Sequence, residues 1–138
     1  MNKKVYLDTN ILLDFLDETR VNNNSSKELL YQLTLHNYQI FISEDIITTV
    51  FYIDKQNTRV LNFLKSIVCR RWNISAFGTK TINKAIDLSL EHNLDLEDIL
   101  QCLCAKDNGC EVLLTNDKKF YNCGIKIETP KSFLDSLK

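Results

Sequence analysis

Lys4-Val5-Tyr6-Leu7-Asp8-Thr9-Asn10-Ile11-Leu12-Leu13-Asp14-Phe15-Leu16 changes its periodicity in the middle. Val5, Tyr6 and Leu7 form a β-prone apolar run that stops at Asp8. From Ile11 the apolar residues recur at helical spacing, with Ile11, Leu12, Phe15 and Leu16 along one face. Asp8 and Thr9 stand at the junction, where a short polar side chain accepts from the first free N–H groups of a helix. A buried strand that delivers an acid at its C-terminal end is also how open α/β sheets build sites, because their crevice lies outside those ends. Capping and site-building both remain open for Asp8 on this stretch alone, and the other acids decide between them.

Working outward, the polar connection from Asp17 to Ser26 leads to a predicted helix capped by Ser25 or Ser26 and running to about His36, with Leu29, Leu30 and Leu33 as its apolar stripe. Gln39 to Ile42 reads as a second strand. Ser43 ends it, and Glu44 and Asp45 fall in the first turn of the helix that follows. A further amphipathic helix spans Thr58 to about Arg70, and Trp72 to Phe77 reads as a third strand closed by Gly78. Thr81 to His92 places Ile82, Ala85, Ile86 and Leu90 on one helical face. Leu96 to Lys106 is a mostly apolar helix with Gly109 where a C-terminal cap belongs. Val112-Leu113-Leu114 is an all-apolar run of the buried parallel type. Ile125 to Ile127 is the last strand, and Pro130 starts a C-terminal helix. Short apolar strands alternating with helices predict a three-layer α/β/α sandwich with a mainly parallel central sheet, spanning 1–138 as one domain.

Composition narrows the function. The 138 residues are 44% hydrophobic and 25% charged, with three Gly and one Pro, an ordinary globular mixture without linker-like stretches. A net charge of −1 excludes a bulk basic footprint for nucleic acid, leaving local patches such as Lys3-Lys4, Arg70-Arg71 and Lys118-Lys119. The five cysteines contain no C-x-x-C, and Cys102 and Cys104 point to nearly opposite faces of one helix, so a shared metal is not expected of them. They read as reduced, mostly buried thiols of a cytoplasmic protein. No apolar run approaches the length of a membrane span.

Three acids occupy equivalent topological places. Asp8 follows the first strand, Asp117 follows Val112–Leu114, and Asp98 opens the helix that leads into that strand. Each has an ordinary structural account: Asp98 beside Asp95 complements a helix N-terminus, and Asp117 in Asn116-Asp117 is turn chemistry. Taken together, carboxylates converging without a basic partner call for a hard divalent cation, Mg²⁺ or Mn²⁺, which takes oxygen ligands and keeps waters for a phosphate to displace. Asn10 adds a neutral amide suited to holding a water or a ligand oxygen, and Thr115 and Asn116 are placed to orient Asp117. Glu97 is expected on another side of its helix, and Asp14 is expected to face solvent. Two histidines near helix ends, and the absence of G-x-S-x-G, P-loop, H-E-x-x-H and G-x-G-x-x-G patterns, argue against other common chemistries. A phosphatase of the haloacid-dehalogenase class needs an acid where Asn10 stands.

With Leu7-Asp8-Thr9-Asn10-Ile11-Leu12-Leu13-Asp14, Leu96-Glu97-Asp98-Ile99-Leu100-Gln101 and Leu114-Thr115-Asn116-Asp117, the chain resembles a PIN domain over essentially its whole length. The resemblance implies a Mg²⁺- or Mn²⁺-dependent ribonuclease, commonly the toxin of a VapC-type toxin–antitoxin pair. An RNA substrate, an antitoxin partner and a homodimer are implied with it. Asp8, Asp98 and Asp117 match the family's acidic site, and Asn10 and Thr115 match polar positions beside the metal. The family's further Glu, six residues after the serine ending the second strand, falls on Thr49, with Glu44 and Asp45 one turn earlier. Lys118 and Lys119 are the candidates for holding RNA backbone. A catalytically weak PIN-like module that binds RNA or protein is the competing expectation.

Overall fold

The structure, a computed structural model, describes residues 3–55 and 57–137. The chain runs β1 (Lys4–Leu7), α1 (Thr9–Leu16), α2 (Asn23–Leu35), β2 (Gln39–Ser43), α3 (Glu44–Ile53) and α4 (Asn57–Phe63). A π-helical turn at Leu64–Val68 carries α4 into α5 (Cys69–Arg71), and β3 (Asn73–Ser75), α6 (Thr79–His92), α7 (Leu96–Asp107), β4 (Val112–Leu114), β5 (Lys126–Glu128) and α8 (Pro130–Ser136) follow.

The five strands form one sheet in the order β3-β2-β1-β4-β5, every neighbouring pair parallel. In register, Tyr6 of β1 lies between Phe41 of β2 and Leu113 of β4. The apolar runs of β1 and β4 suit this position, because a central parallel strand is covered on both faces. The chain grows outward from β1 to β2 and β3, then crosses back to lay β4 on the other side of β1. Right-handed crossovers running in opposite directions put their helices on opposite faces of the sheet. Accordingly α1 packs on α2 and α3, and α2 on α8, while α6 packs on α7. The result is the expected three-layer α/β/α sandwich, and β1/β4 is its switch point. The main core joins Tyr6, Leu7, Ile11, Leu29, Ile42 and Leu113, and a smaller cluster of Ala85, Ile99 and Leu103 lies between α6 and α7.

Several local expectations are corrected. The predicted cap at Ser25 or Ser26 is absent: α2 begins earlier, at Asn23, and Ser26 is fully buried. The cause is Asn23, whose amide donates to the carbonyls of Asp14 (2.8 Å) and Phe15 (3.1 Å), tying the start of α2 to the end of α1. The third strand is shorter than Trp72 to Phe77. The α6 stripe is only partly covered: Ala85 is buried, but Leu90 is 80% exposed, because α6 is the outer helix of its layer and meets mainly α7. The cysteines are not all free thiols. Cys102 of α7 is disulfide-bonded to Cys123, which the loop after β4 brings alongside with a Cα–Cα separation of 6.0 Å. Cys69, Cys104 and Cys110 are free. Among the described residues, no helix is long and apolar enough to cross a membrane.

Candidate active site

The switch point collects the acids because strand ends are held level by backbone pairing. The Asp8 N–H donates to the Leu114 carbonyl (3.0 Å) and the Thr115 N–H to Glu128 (3.0 Å), so the chain leaves β1 and β4 side by side. Asp8 is the N-cap of α1, its Oδ1 accepting from the Thr9 N–H at 2.8 Å. Its other oxygen accepts from the Thr115 hydroxyl (2.8 Å) and the Asn10 amide (3.1 Å). Capping and site-building therefore coincide in one residue. Burial raises the Asp8 pKa, the Thr115 and Thr9 hydrogen bonds oppose that rise, and Asp117 and Asp95 add to it.

Asp98 lies in the first turn of α7, its N–H donating to the capping Asp95 carboxylate at 3.0 Å. It is half-buried, and its pKa is pushed up to about 7, first by burial and then by Asp95, Asp8, Asp117 and Glu97. Every charged neighbour named there is another carboxylate. Asp117, exposed after β4, donates its N–H to the Thr115 hydroxyl (3.0 Å) and accepts from the Lys119 N–H (2.9 Å). The backbone N–H of Asn116 donates to Asn10 Oδ1 at 3.2 Å. Hydrogen bonds thus join Asp8, Asn10, Thr115, Asn116 and the Asp117 backbone in one network, and Asp98 is linked to Asp8 and Asp117 through their charges. Lys118 and Lys119 are exposed immediately beyond.

Thr49 is elsewhere engaged: its hydroxyl donates to the Asp45 carbonyl one turn back at 3.0 Å. Glu44 and Asp45 are exposed in the first turn of α3, where they border a depression shared with Ser75 and Phe77. Glu97 is exposed, as expected, and its pKa is raised by burial, then by Asp45, Asp8 and Asp95. The correction here is Asp14, which is 4% exposed rather than solvent-facing. Its position three residues after Ile11 and four after Asn10 put it on the buried stripe of α1, a signal present in the sequence.

A hard cation fits this donor set. The converging groups are carboxylates and neutral oxygens, and mutual repulsion adds to burial in raising Asp98. Among the described residues, no three His, Cys, Asp or Glu side chains are grouped so that all of them could hold one ion. Direct contact from one or two carboxylates with waters completing the shell is the arrangement Mg²⁺ favours.

A family model described as "PIN domain" matches residues 5–126. Ribonuclease VapC1 of Aquifex aeolicus (strain VF5) is 36% identical over 140 residues, covering 97% of this chain and 95% of that protein. Among solved structures, a toxin–antitoxin complex from Klebsiella pneumoniae superposes with a TM-score of 0.66 at 22% identity, covering 91% of this chain and 97% of that one. VapC20 of Mycobacterium tuberculosis, a toxin that cleaves the sarcin–ricin loop, gives 0.70 at 10% identity, covering 88% and 95%. VapBC2 of Rickettsia felis, bound to a DNA fragment from its promoter, gives 0.69 at 22%, covering 91% and 98%. At these identities the structural likenesses speak for the fold, and the family model and the curated relative span nearly the whole sequence. The chain is a member of the PIN domain family.

Proposed function

We propose that this protein is a divalent-metal-dependent endoribonuclease that hydrolyses RNA phosphodiesters, acting in the cytoplasm as the toxin of a bacterial toxin–antitoxin pair. The reading is supported by Asp8, Asp98 and Asp117 falling at the strand and helix ends of the β1/β4 switch point, where Asp95, Asp8, Asp117 and Glu97 all raise Asp98. The relative named as a ribonuclease supports the activity, and the neighbours that are toxin–antitoxin complexes support an antitoxin partner.

Asp8, Asp98 and Asp117 are the residues that would hold Mg²⁺ or Mn²⁺. Such an ion, when bound, acidifies a water and offsets charge on the phosphate. Asn10 and Thr115 hold Asp8 in one rotamer, so its carboxylate is set before substrate arrives. A carboxylate of the site, Asp98 or Asp117, would orient the attacking water. Lys118 and Lys119 hold flanking phosphates. Attack by water predicts a 5′-phosphate and a 3′-hydroxyl. A 2′,3′-cyclic phosphate at the cut would exclude this route.

A catalytically weak module that binds RNA or protein is the second reading, favoured by Thr49 standing where the family's Glu is expected. The two separate in one assay: wild type, Asp8→Asn and Asp98→Asn on mixed RNA substrates with Mn²⁺ or EDTA. The nuclease predicts cutting that needs metal and is lost by at least a hundredfold in both variants. RNA retained without cutting selects the binding module.

A further inference from the structure

Asp14 presents a buried carboxylate that the site's chemistry does not use. A buried carboxylate is costly unless both oxygens find partners. Here they do, on opposite sides. Oδ1 accepts from Arg20 Nε at 2.7 Å, and Oδ2 accepts from the Asn116 amide at 2.7 Å. Asn116 is also bonded through its backbone N–H to Asn10, and Asn10 in turn donates to Asp8. One continuous chain of hydrogen bonds therefore links Arg20, which is partly exposed, to Asp8.

The segment carrying Arg20 is held as firmly. Asp17 Oδ1 accepts from both the N–H (2.9 Å) and the hydroxyl (2.7 Å) of Thr19. The Arg20 N–H donates to the Asp17 carbonyl, and the Arg20 carbonyl accepts from the Asn23 N–H. The ion pair engages only Nε, and the four remaining N–H groups of the guanidinium sit on its terminal nitrogens, the edge that matches a phosphate. A cleft of about 390 Å³ is lined by Arg20, Asn22 and Asp14 together with Asn10, Asn116 and Asp117. Arg20 and Asp117, one of the three acids, thus line the same recess, with Asn10, which bonds Asp8, on its wall.

We propose that Arg20 contacts a backbone phosphate of the RNA strand next to the one being cleaved, and that Asp14 is the positioning residue that aims it. The inference rests on the ribonuclease reading. A polyanionic strand crossing three carboxylates needs a fixed cation beside them. An arginine held by a buried carboxylate supplies one with little side-chain freedom left to lose.

The test is binding of a short single-stranded RNA in Mg²⁺, in an Asp98→Asn background that stops cutting, across a salt series. Arg20→Ala is expected to weaken binding roughly tenfold and to make the log–log salt slope shallower by about 0.7, the value of one single-strand phosphate. Arg20→Lys recovers the slope but not the affinity, because the charge returns without the fork. Asp14→Asn loses affinity like Arg20→Ala although the arginine remains. In the cutting enzyme, the Arg20→Ala deficit falls in KM. Equal affinity and equal slope in the parent and Arg20→Ala, both with unchanged thermal midpoints, overturns the proposal even if Asp14→Asn fails to fold. A parent that binds no RNA, together with a wild type that cuts none, instead overturns the ribonuclease reading and this inference with it.

Discussion

Asp98 holds its proton to about pH 7, because burial and four surrounding carboxylates all disfavour its charged form. The consequence for stability has a definite sign. Its ordinary value is 3.8, so between there and about 7 the folded chain binds more protons than the unfolded one. This group's contribution to stability is therefore largest at acid pH and is lost as pH rises through about 7. Removing the charge should show it. In EDTA, Asp98→Asn should melt above wild type at about pH 8, with the gap closing as the solution is acidified to about pH 5. Melting curves for both proteins across that range, with a gap independent of pH, would contradict the assignment. With Mn²⁺ present the order should reverse, because the wild-type carboxylate then has a partner.

Individual elements end and dock through specific polar atoms. The α7 helix ends at Asp107 and is capped by Asn108, and Gly109 follows with φ at 71°. The Cys110 N–H reaches back to the Ala105 carbonyl and the Gly109 N–H to Lys106, each at 3.0 Å, a Schellman arrangement. Nothing lies within 4 Å of where a Cβ would be, so Gly109→Ala meets only the backbone penalty and should cost about 1 kcal/mol by chemical denaturation. Farther along the same helix, Gln101 accepts from the Tyr6 and Ser43 hydroxyls, joining α7 to β1 and β2 beneath the site. Gln101→Met leaves the Tyr6 hydroxyl buried without its acceptor and should cost about 1–3 kcal/mol. Tyr6→Phe in that background should then cost less than it does alone, a non-additivity that a double-mutant cycle reads directly. Strictly additive costs would deny that the two side chains act together.

Across the whole molecule, β1 and β4 make the sheet's centre and carry the site at their ends. Leu113 is fully buried between Tyr6 and Ile127 in the sheet register. Leu113→Ala should lose about 3 kcal/mol in denaturant unfolding, through lost transfer energy and the cavity left behind. Because strand ends align the acids, it should also blunt the thermal shift produced by Mn²⁺. The parallel sheet, its β1 and β4 cores and the three acids at strand and helix ends were legible in the sequence. Each is written locally, as an apolar run that breaks at an acid or as an acid opening a helical pattern, and parallel topology sends all such ends to one edge. Only the tertiary structure decided which face of α6 is left uncovered, that Cys102 meets Cys123, that Asp95 and Glu97 join the field on Asp98, and that Asp14 is buried against Arg20 and Asn116. Those outcomes depend on which layer lies above a helix and, for Cys102–Cys123 and Asp14–Asn116, on partners 21 and 102 residues away in sequence. Local periodicity says which residues share a face of an element, and packing alone says what that face meets.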